Sequence, residues 1–153
     1  MDDKKKLNRY QRIHNQLLEL LPKTTDKLAR MSTIIAILHN KMDHYFWTGY
    51  YFLKDGKLIV GPYQGPVACQ ELEKDKGVCW AGINRKETVI VPDVHDFPGH
   101  IACDSRSQSE IVVPLKNDKN EIIGVLDIDS KNKNSFNKTD GEELIKILSL
   151  INL

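Results

Sequence analysis

The sequence has few cysteines, a balanced charge and no long apolar run, and each of these shortages excludes a class of protein. Its three cysteines are odd in number and lie ten and 24 residues apart, which fits neither a secreted disulfide framework nor the paired cysteines of a zinc ribbon. We therefore expect a reducing, cytoplasmic setting. The longest apolar stretch, Ile34 to Leu38, is far too short to cross a bilayer, so no membrane association is expected.

The net charge and the chain length further limit the class of protein and the number of domains. Lysine and arginine total 22 against 21 acidic residues, a net charge of +1, so the chain lacks the excess positive charge of a nucleic-acid-binding protein. A chain of about 150 residues buries enough surface to fold without a disulfide or metal. We predict a single domain over residues 1–153, with a helical part at 1–44, a sheet with catalytic loops at 45–130 and a closing helix at 139–151.

The spacing of apolar residues predicts helices at both ends of the chain. A helical face from Leu7 to Leu21 is ended by Pro22, and a second helix starts near Thr24 or Asp26. A capping box of Thr139 and Glu142 predicts the last helix. Between them, strands are predicted at 45–53, 58–60, 88–91, 109–113 and 121–128. The pattern indicates an α+β fold with helices on one face of an antiparallel sheet.

The turn chemistry supports antiparallel pairing at the start of the sheet. Asp55 and Gly56 lie between the first two predicted strands and are suited to the positive φ angles of a two-residue hairpin. A short helix is predicted at 77–83, with Cys79 in its first turn.

Each cysteine lies in a loop marked by glycine or histidine: Cys69 in GPVAC, Cys79 in KGVC and Cys103 in GHIACDS. A working thiolate needs access and a nearby positive field, and loops supply both. Cys103 is the candidate nucleophile, because neighbouring His100, Asp104 and Ser105 could orient or deprotonate its thiol. A buried, unreactive Cys103 remains the alternative.

Zinc is a competing interpretation of the same residues. The candidate ligands are Cys69, Cys79, Cys103, His95 and His100. Their spacing does not favour a structural site, because no two cysteines are closer than ten residues. We therefore predict no metal and no organic cofactor.

Three acidic residues interrupt strands that are otherwise apolar: Glu110 in SEIVVPL, and Asp127 and Asp129 in GVLDIDS. Burying a carboxylate in such a strand is costly. Asp127 and Asp129 are two residues apart and share one face of their strand. If the strand of Glu110 is its partner, three carboxyls converge, and at least one should have a raised pKa and serve as a neutral acid. Edge-strand salt bridges with lysines are the alternative.

The order of these motifs, GPYQGPVAC, KGVC, VPDVHDFPGHIACDS, SEIVVPL and IIGVLDIDS, closely resembles the free methionine-(R)-sulfoxide reductases, a family of small GAF-domain enzymes. The resemblance runs from about Phe46 to Ser130. It implies a six-stranded antiparallel sheet flanked by N-terminal and C-terminal helices, and an activity that reduces free methionine-R-sulfoxide to methionine. The residue after Cys79, Trp80, departs from the small residue expected there.

The resemblance also implies roles for individual residues. Cys103 corresponds to the nucleophile, Cys69 to the resolving thiol and Cys79 to an auxiliary cysteine. The substrate-binding residues are Glu110, Asp127, Asp129 and Trp47. The implied partners are free methionine-R-sulfoxide as substrate and thioredoxin or a similar dithiol as external reductant, and a homodimer is a further candidate assembly.

Two rival functions remain. A GAF domain can be a sensory module that binds a cyclic nucleotide or another small ligand, although such modules usually accompany an output domain. It can also be a structural or partner-binding domain whose cysteines are incidental. Neither rival explains why three thiols and three carboxyls occur together.

Overall fold

The framework of the computed structural model, which describes residues 1–100 and 103–153, is a six-stranded antiparallel sheet. The strands are β1 (Trp47–Lys54), β2 (Lys57–Gln64), β3 (Glu71–Leu72), β4 (Val89–Val91), β5 (Ser109–Lys116) and β6 (Ile122–Ser130), in the spatial order β3-β2-β1-β6-β5-β4. Asp55 and Gly56 have φ angles of 50° and 77°, so the predicted hairpin turn is confirmed. The residue pattern missed only β3, because two residues are too few to show an alternation.

Residues 1–100 and 103–153 contain four α-helices beside the sheet: α1 (Asp3–Leu20), α2 (Lys27–Lys41), α3 (Gly77–Arg85) and α4 (Lys138–Ser149). Pro22 lies in a 3₁₀ turn, Leu21–Lys23, directly after α1. Asp26 caps α2 by accepting a hydrogen bond from the backbone N–H of Ala29 at 2.8 Å. None of the described helices combines the length and apolar character needed to cross a membrane.

The capping box of α4 differs from the prediction. It consists of Asn137 and Asp140, not Thr139 and Glu142. The Asp140 carboxylate accepts the backbone N–H of Asn137 at 2.8 Å, and the Asn137 side chain accepts the backbone N–H of Thr139 at 3.0 Å. Asparagine and threonine are both good N-cap residues, so the sequence alone did not discriminate between them.

Helices lie on both faces of the sheet, which corrects the prediction of a single helical face. The larger core joins one face to α1, α2 and α4, whereas α3 packs on the other face in a second core. Strand β5 contributes residues to both cores, since Ile111 and Val113 belong to the first core and Val112 to the second. Gly82 brings α3 close, because a Cβ atom there would lie 2.7 Å from Val112 Cγ1.

Candidate active site

Three carboxyls lie side by side on the α3 face of the sheet. Glu110 on β5 is directly opposite Asp129 on β6, and Asp127 is two residues earlier on the same strand. Glu110 is 5% exposed, Asp127 is 6% exposed and Asp129 is half-buried. The predicted convergence of these residues is present, because strands β5 and β6 pair in the register that places them on one face.

Burial and mutual repulsion set the protonation of the three groups. The pKa of Glu110 is raised well above its ordinary value by burial and then by the charges of Asp127 and Asp129. The pKa of Asp129 is also raised well above its ordinary value, by burial and by Asp127. Burial raises the pKa of Asp127 too, but hydrogen bonds from Glu110 and Asp129 oppose that rise. The arrangement therefore favours protonation of Glu110 and Asp129 over protonation of Asp127.

No lysine or arginine in residues 1–100 and 103–153 forms an ion pair with these carboxyls, so the lysine alternative is wrong. The basic side chain beside them is His100, whose Nδ1 atom lies 4.0 Å from Glu110 Oε1. Burial, with a smaller effect of His95, lowers the pKa of His100, so the imidazole is neutral at pH 7. Asp127 Oδ1 is buried and has no hydrogen-bond partner within this part of the chain.

Cys69 and Cys103 form a disulfide with their Cα atoms 5.6 Å apart. The half-buried Cys69 follows β2, and the exposed Cys103 precedes β5. Tyr51 donates a hydrogen bond from its hydroxyl to the backbone carbonyl of Cys69 at 2.9 Å. Residues 101 and 102, inside the PGHIACDS motif, lie outside the described residues. The pair predicted to act as nucleophile and resolving thiol is thus bonded across the site.

Cys79 differs from the other two cysteines. It is unpaired, 4% exposed and in the first turn of α3. A helix N-terminus ordinarily lowers the pKa of a thiol. Here burial raises the pKa of Cys79 well above its ordinary value, and the charges of Asp127 and Glu110 raise it further. The surroundings of Cys79 therefore favour the protonated thiol when no cation is bound, which argues against it as the nucleophile.

Asp104 does not act on Cys103 as its sequence position suggested. Its carboxylate accepts hydrogen bonds from the Arg106 guanidinium at 2.7 and 3.0 Å and from the Arg106 backbone N–H at 2.9 Å. These hydrogen bonds lower the pKa of Asp104 to about 2. A carboxylate that stays ionised above that pH is a poor base for a thiol.

Trp47 forms an aromatic wall of the site. It is 6% exposed, lies opposite Asp129 on β6, and stacks with Tyr51 and Tyr63 at centroid distances of 5.8 and 5.2 Å. Its indole N–H donates to the Pro66 carbonyl at 3.1 Å, which fixes the ring. Sequence reasoning missed Tyr51, although its position four residues after Trp47 on the same strand places it on the same face.

Trp80, the departure from the family motif, points away from the catalytic groups. It is buried in the second core, and its indole N–H donates to the Leu72 carbonyl at 3.5 Å. The large side chain therefore fills the space between α3 and β3.

The predicted residues surround one cavity of about 60 Å³. Six of the seven line it directly: Trp47, Cys79, Cys103, Glu110, Asp127 and Asp129. Cys69 joins through its bond to Cys103. The lining also includes His100 and the start of α3 at Gly77 and Val78, which the sequence did not single out as a binding surface.

The five residues considered as zinc ligands do not come together as a set, since Cys69 and Cys103 are bonded to each other. Within the described ranges, the group with suitable geometry consists instead of Cys79, Glu110 and Asp127. Two of these residues were predicted here as carboxyls of a substrate site.

Comparison with known proteins places this geometry in a family. A profile of the GAF domain matches residues 24–151. The free methionine-R-sulfoxide reductase of Escherichia coli (strain K12) is 39% identical over 140 residues, 92% of this chain and 84% of that protein. The chain belongs to the free methionine-R-sulfoxide reductase family of GAF-domain enzymes. The family membership and the fold class implied by the sequence motifs are both confirmed.

Other known proteins are similar to the chain along almost its full length. GAF domain-containing protein A of Dictyostelium discoideum is 42% identical over 147 residues, 95% of this chain and 92% of that protein. The X-ray structure of free methionine-R-sulfoxide reductase from Neisseria meningitidis in complex with its substrate has a TM-score of 0.90 at 35% identity, covering 99% of this chain and 89% of that chain.

Proposed function

We propose that this protein reduces free methionine-R-sulfoxide to methionine, with Cys103 as nucleophile and Cys69 as resolving thiol. The observation that carries the proposal is the Cys69–Cys103 disulfide at the edge of a cavity lined by three carboxyls, two of them buried. A thiol pair supplies two electrons, and neutral carboxyls supply the proton that a departing sulfoxide oxygen needs. Family members named for this reaction support the choice of substrate.

The first step transfers oxygen from substrate to enzyme. The Cys103 thiolate attacks the sulfoxide sulfur while Glu110 or Asp129 donates a proton to the oxygen. The attack forms a bond between the two sulfurs, and the S–O bond of the substrate breaks. The hydroxyl moves to the Cys103 sulfur, the bond between the two sulfurs breaks as methionine leaves, and Cys103 becomes a sulfenic acid. Sulfur is reduced in the substrate and oxidised in the enzyme, so the electrons balance without a metal or organic cofactor.

The second step forms the disulfide, and the carboxylate that donated its proton takes up another from solvent. The Cys69 thiol attacks the sulfenic sulfur and water leaves, giving the Cys69–Cys103 bond. A Cα separation of 5.6 Å supports direct bonding of the two residues. Thioredoxin, or a dithiol of the same class in a reducing compartment, then returns both cysteines to thiols by exchange.

Substrate selection follows from the same groups. An ionised Asp127 is suited to hold the ammonium of a free amino acid, and the fixed Trp47 ring offers an apolar surface for the methyl group on sulfur. A methionine sulfoxide within a polypeptide has no ammonium beside its side chain. Its two peptide bonds would also have to fit beside Asp127, which is buried.

Thioredoxin-coupled turnover of separated diastereomers tests the proposal. We expect consumption of reducing equivalents with free methionine-R-sulfoxide, and little with the S diastereomer or with N-acetylated, amidated methionine sulfoxide. The Cys103→Ser variant, prepared in parallel, controls for contaminating reductases. Equal rates on both diastereomers, or good activity on the blocked substrate, would contradict the substrate assignment.

A further inference from the structure

Three buried side chains beside the cavity form a group that the proposed mechanism does not use as a unit. Cys79, Glu110 and Asp127 each offer one atom, the thiol sulfur or a carboxylate oxygen, and these atoms all lie within 4.8 Å of one another. All three residues are at most 6% exposed. Asp127 Oδ1, moreover, is buried without a hydrogen-bond partner in residues 1–100 and 103–153. An unpartnered oxygen at such a site is costly unless a cation or donor completes it.

The donor set selects the kind of cation. One thiolate and two carboxylates are ligands for Zn²⁺, whereas Mg²⁺ and Ca²⁺ prefer an all-oxygen shell with several waters. Metal–ligand bonds of about 2.0 to 2.3 Å place tetrahedral ligands roughly 3.5 Å apart. The three atoms therefore need only a small contraction, and the adjoining cavity leaves the fourth position to water.

We propose that Cys79, Glu110 and Asp127 form a binding site for Zn²⁺ or another thiophilic divalent cation, and that the bound cation excludes free methionine sulfoxide. The cation is a competitor and not a resident cofactor. The second half of this inference rests on the proposed function, because the same carboxyls hold the substrate's ammonium and donate the proton. The first half depends only on the geometry of the three ligand atoms.

Cobalt binding to the disulfide-bonded enzyme tests the site directly. Co²⁺ takes the place of Zn²⁺ and shows a thiolate-to-metal charge-transfer absorption when sulfur is a ligand. With Cys69 and Cys103 joined, Cys79 is the only thiol left. The charge-transfer band therefore identifies the Cys79 sulfur as a ligand of Co²⁺. We expect one Co²⁺ per chain with this band, and displacement of the Co²⁺ by added Zn²⁺.

Variants assign the remaining ligands. Cys79→Ser should abolish the band, and Glu110→Gln or Asp127→Asn should weaken Co²⁺ binding at least about tenfold. Asp93→Asn is the matched control, because this carboxylate pairs with Lys133 and His95 outside the cavity. Circular dichroism of each variant verifies folding. Absence of the band in the wild type, its persistence in Cys79→Ser, or unchanged affinity in both carboxyl variants would overturn the site.

Competition is measured in the double variant Cys69→Ser/Cys103→Ser, which retains Cys79 as its only thiol, has no disulfide at the cavity and cannot turn over. Calorimetry first measures binding of free methionine-R-sulfoxide without metal; no binding would contradict the proposed function, while the cobalt result would stand. If the sulfoxide binds, it should displace Co²⁺ and bleach the band. Binding of both together would overturn the exclusion.

Discussion

At the scale of single residues, the site separates three thiols by their surroundings. Cys103 is exposed in a loop, whereas Cys79 is buried beside Asp127 and Glu110, which raise its pKa. Only a thiolate attacks sulfur efficiently. The structure thus supports Cys103 as the group that takes the oxygen and leaves Cys79 as a group that shapes the pocket.

We therefore predict that Cys103→Ser abolishes even one turnover. Cys69→Ser should still release about one methionine per enzyme but fail to recycle with thioredoxin, because the resolving thiol acts only after oxygen transfer. Rapid-quench measurement of methionine release without external reductant gives both values. Stoichiometric release by Cys103→Ser would place the nucleophile elsewhere, with Cys79 as the next residue to test.

The carboxyls give a second prediction, on pH. Glu110 has a raised pKa in the folded protein and an ordinary one, about 4.3, when unfolded. The unfolded chain releases this proton first, so stability falls as pH rises from that value through the raised pKa. The slope is at most about 1.4 kcal/mol per pH unit per proton. Glu110→Gln should flatten this dependence in denaturant titrations, and the exposed Glu87→Gln should leave it unchanged.

The rate of the chemical step should depend on the same protonated carboxyls. Loss of the donor matters only as the S–O bond breaks, so Glu110→Gln or Asp129→Asn should lower the single-turnover rate about 100- to 10,000-fold. Asp127→Asn should mainly raise KM, since an ionised group binds the ammonium. Near-wild-type rates in all three variants would contradict the acid mechanism.

Much of this residue-level picture was predictable from the sequence, for a definite reason. The D-x-D spacing places Asp127 and Asp129 on one face whatever the partner strand is, and the motif order supplied Glu110 and the cysteines. The ion pair between Arg106 and Asp104 was not predictable. It depends on the conformation of a loop, in which sequence neighbours need not point toward one another.

At the scale of elements, a buried polar cluster joins α1 to the start of α4. Asp140 is fully buried and accepts hydrogen bonds from Lys6 Nζ at 2.6 Å, the Tyr10 hydroxyl at 2.5 Å and His44 Nε2 at 3.3 Å. Burial opposes ionisation of Asp140, but these bonds lower its pKa below the ordinary value. No spacing rule relates positions 6 and 140, so the pair was beyond the reach of sequence reasoning.

Removing the Lys6 side chain should leave the buried Asp140 carboxylate without its lysine partner. We predict that Lys6→Ala lowers the free energy of unfolding by about 3 to 5 kcal/mol. The adjacent Lys5→Ala, at an exposed position on the same helix, should change it by less than about 0.5 kcal/mol. Urea titration followed by circular dichroism measures both. Equal effects of the two variants would show that α1 docks through its apolar residues alone.

At the scale of the whole molecule, the Cys69–Cys103 disulfide is a crosslink between the two halves of the sheet. Cys69 follows β2 and Cys103 precedes β5, and 34 residues separate them. In the chain-entropy account, closing a loop of this length in the unfolded chain favours the folded state by about 3 to 4 kcal/mol. Redox state and global stability are therefore linked.

We predict that the oxidised enzyme unfolds at a higher temperature than the reduced enzyme, by roughly 10 °C at about 2 to 4 °C per kcal/mol for a domain of this size. Calorimetric scans with and without a reducing agent give the difference. Cys69→Ser should show no such difference and should melt near the reduced wild type. If the wild type melts at one temperature in both states, strain in the oxidised fold must offset the entropic gain, and the disulfide adds nothing to the stability of the fold.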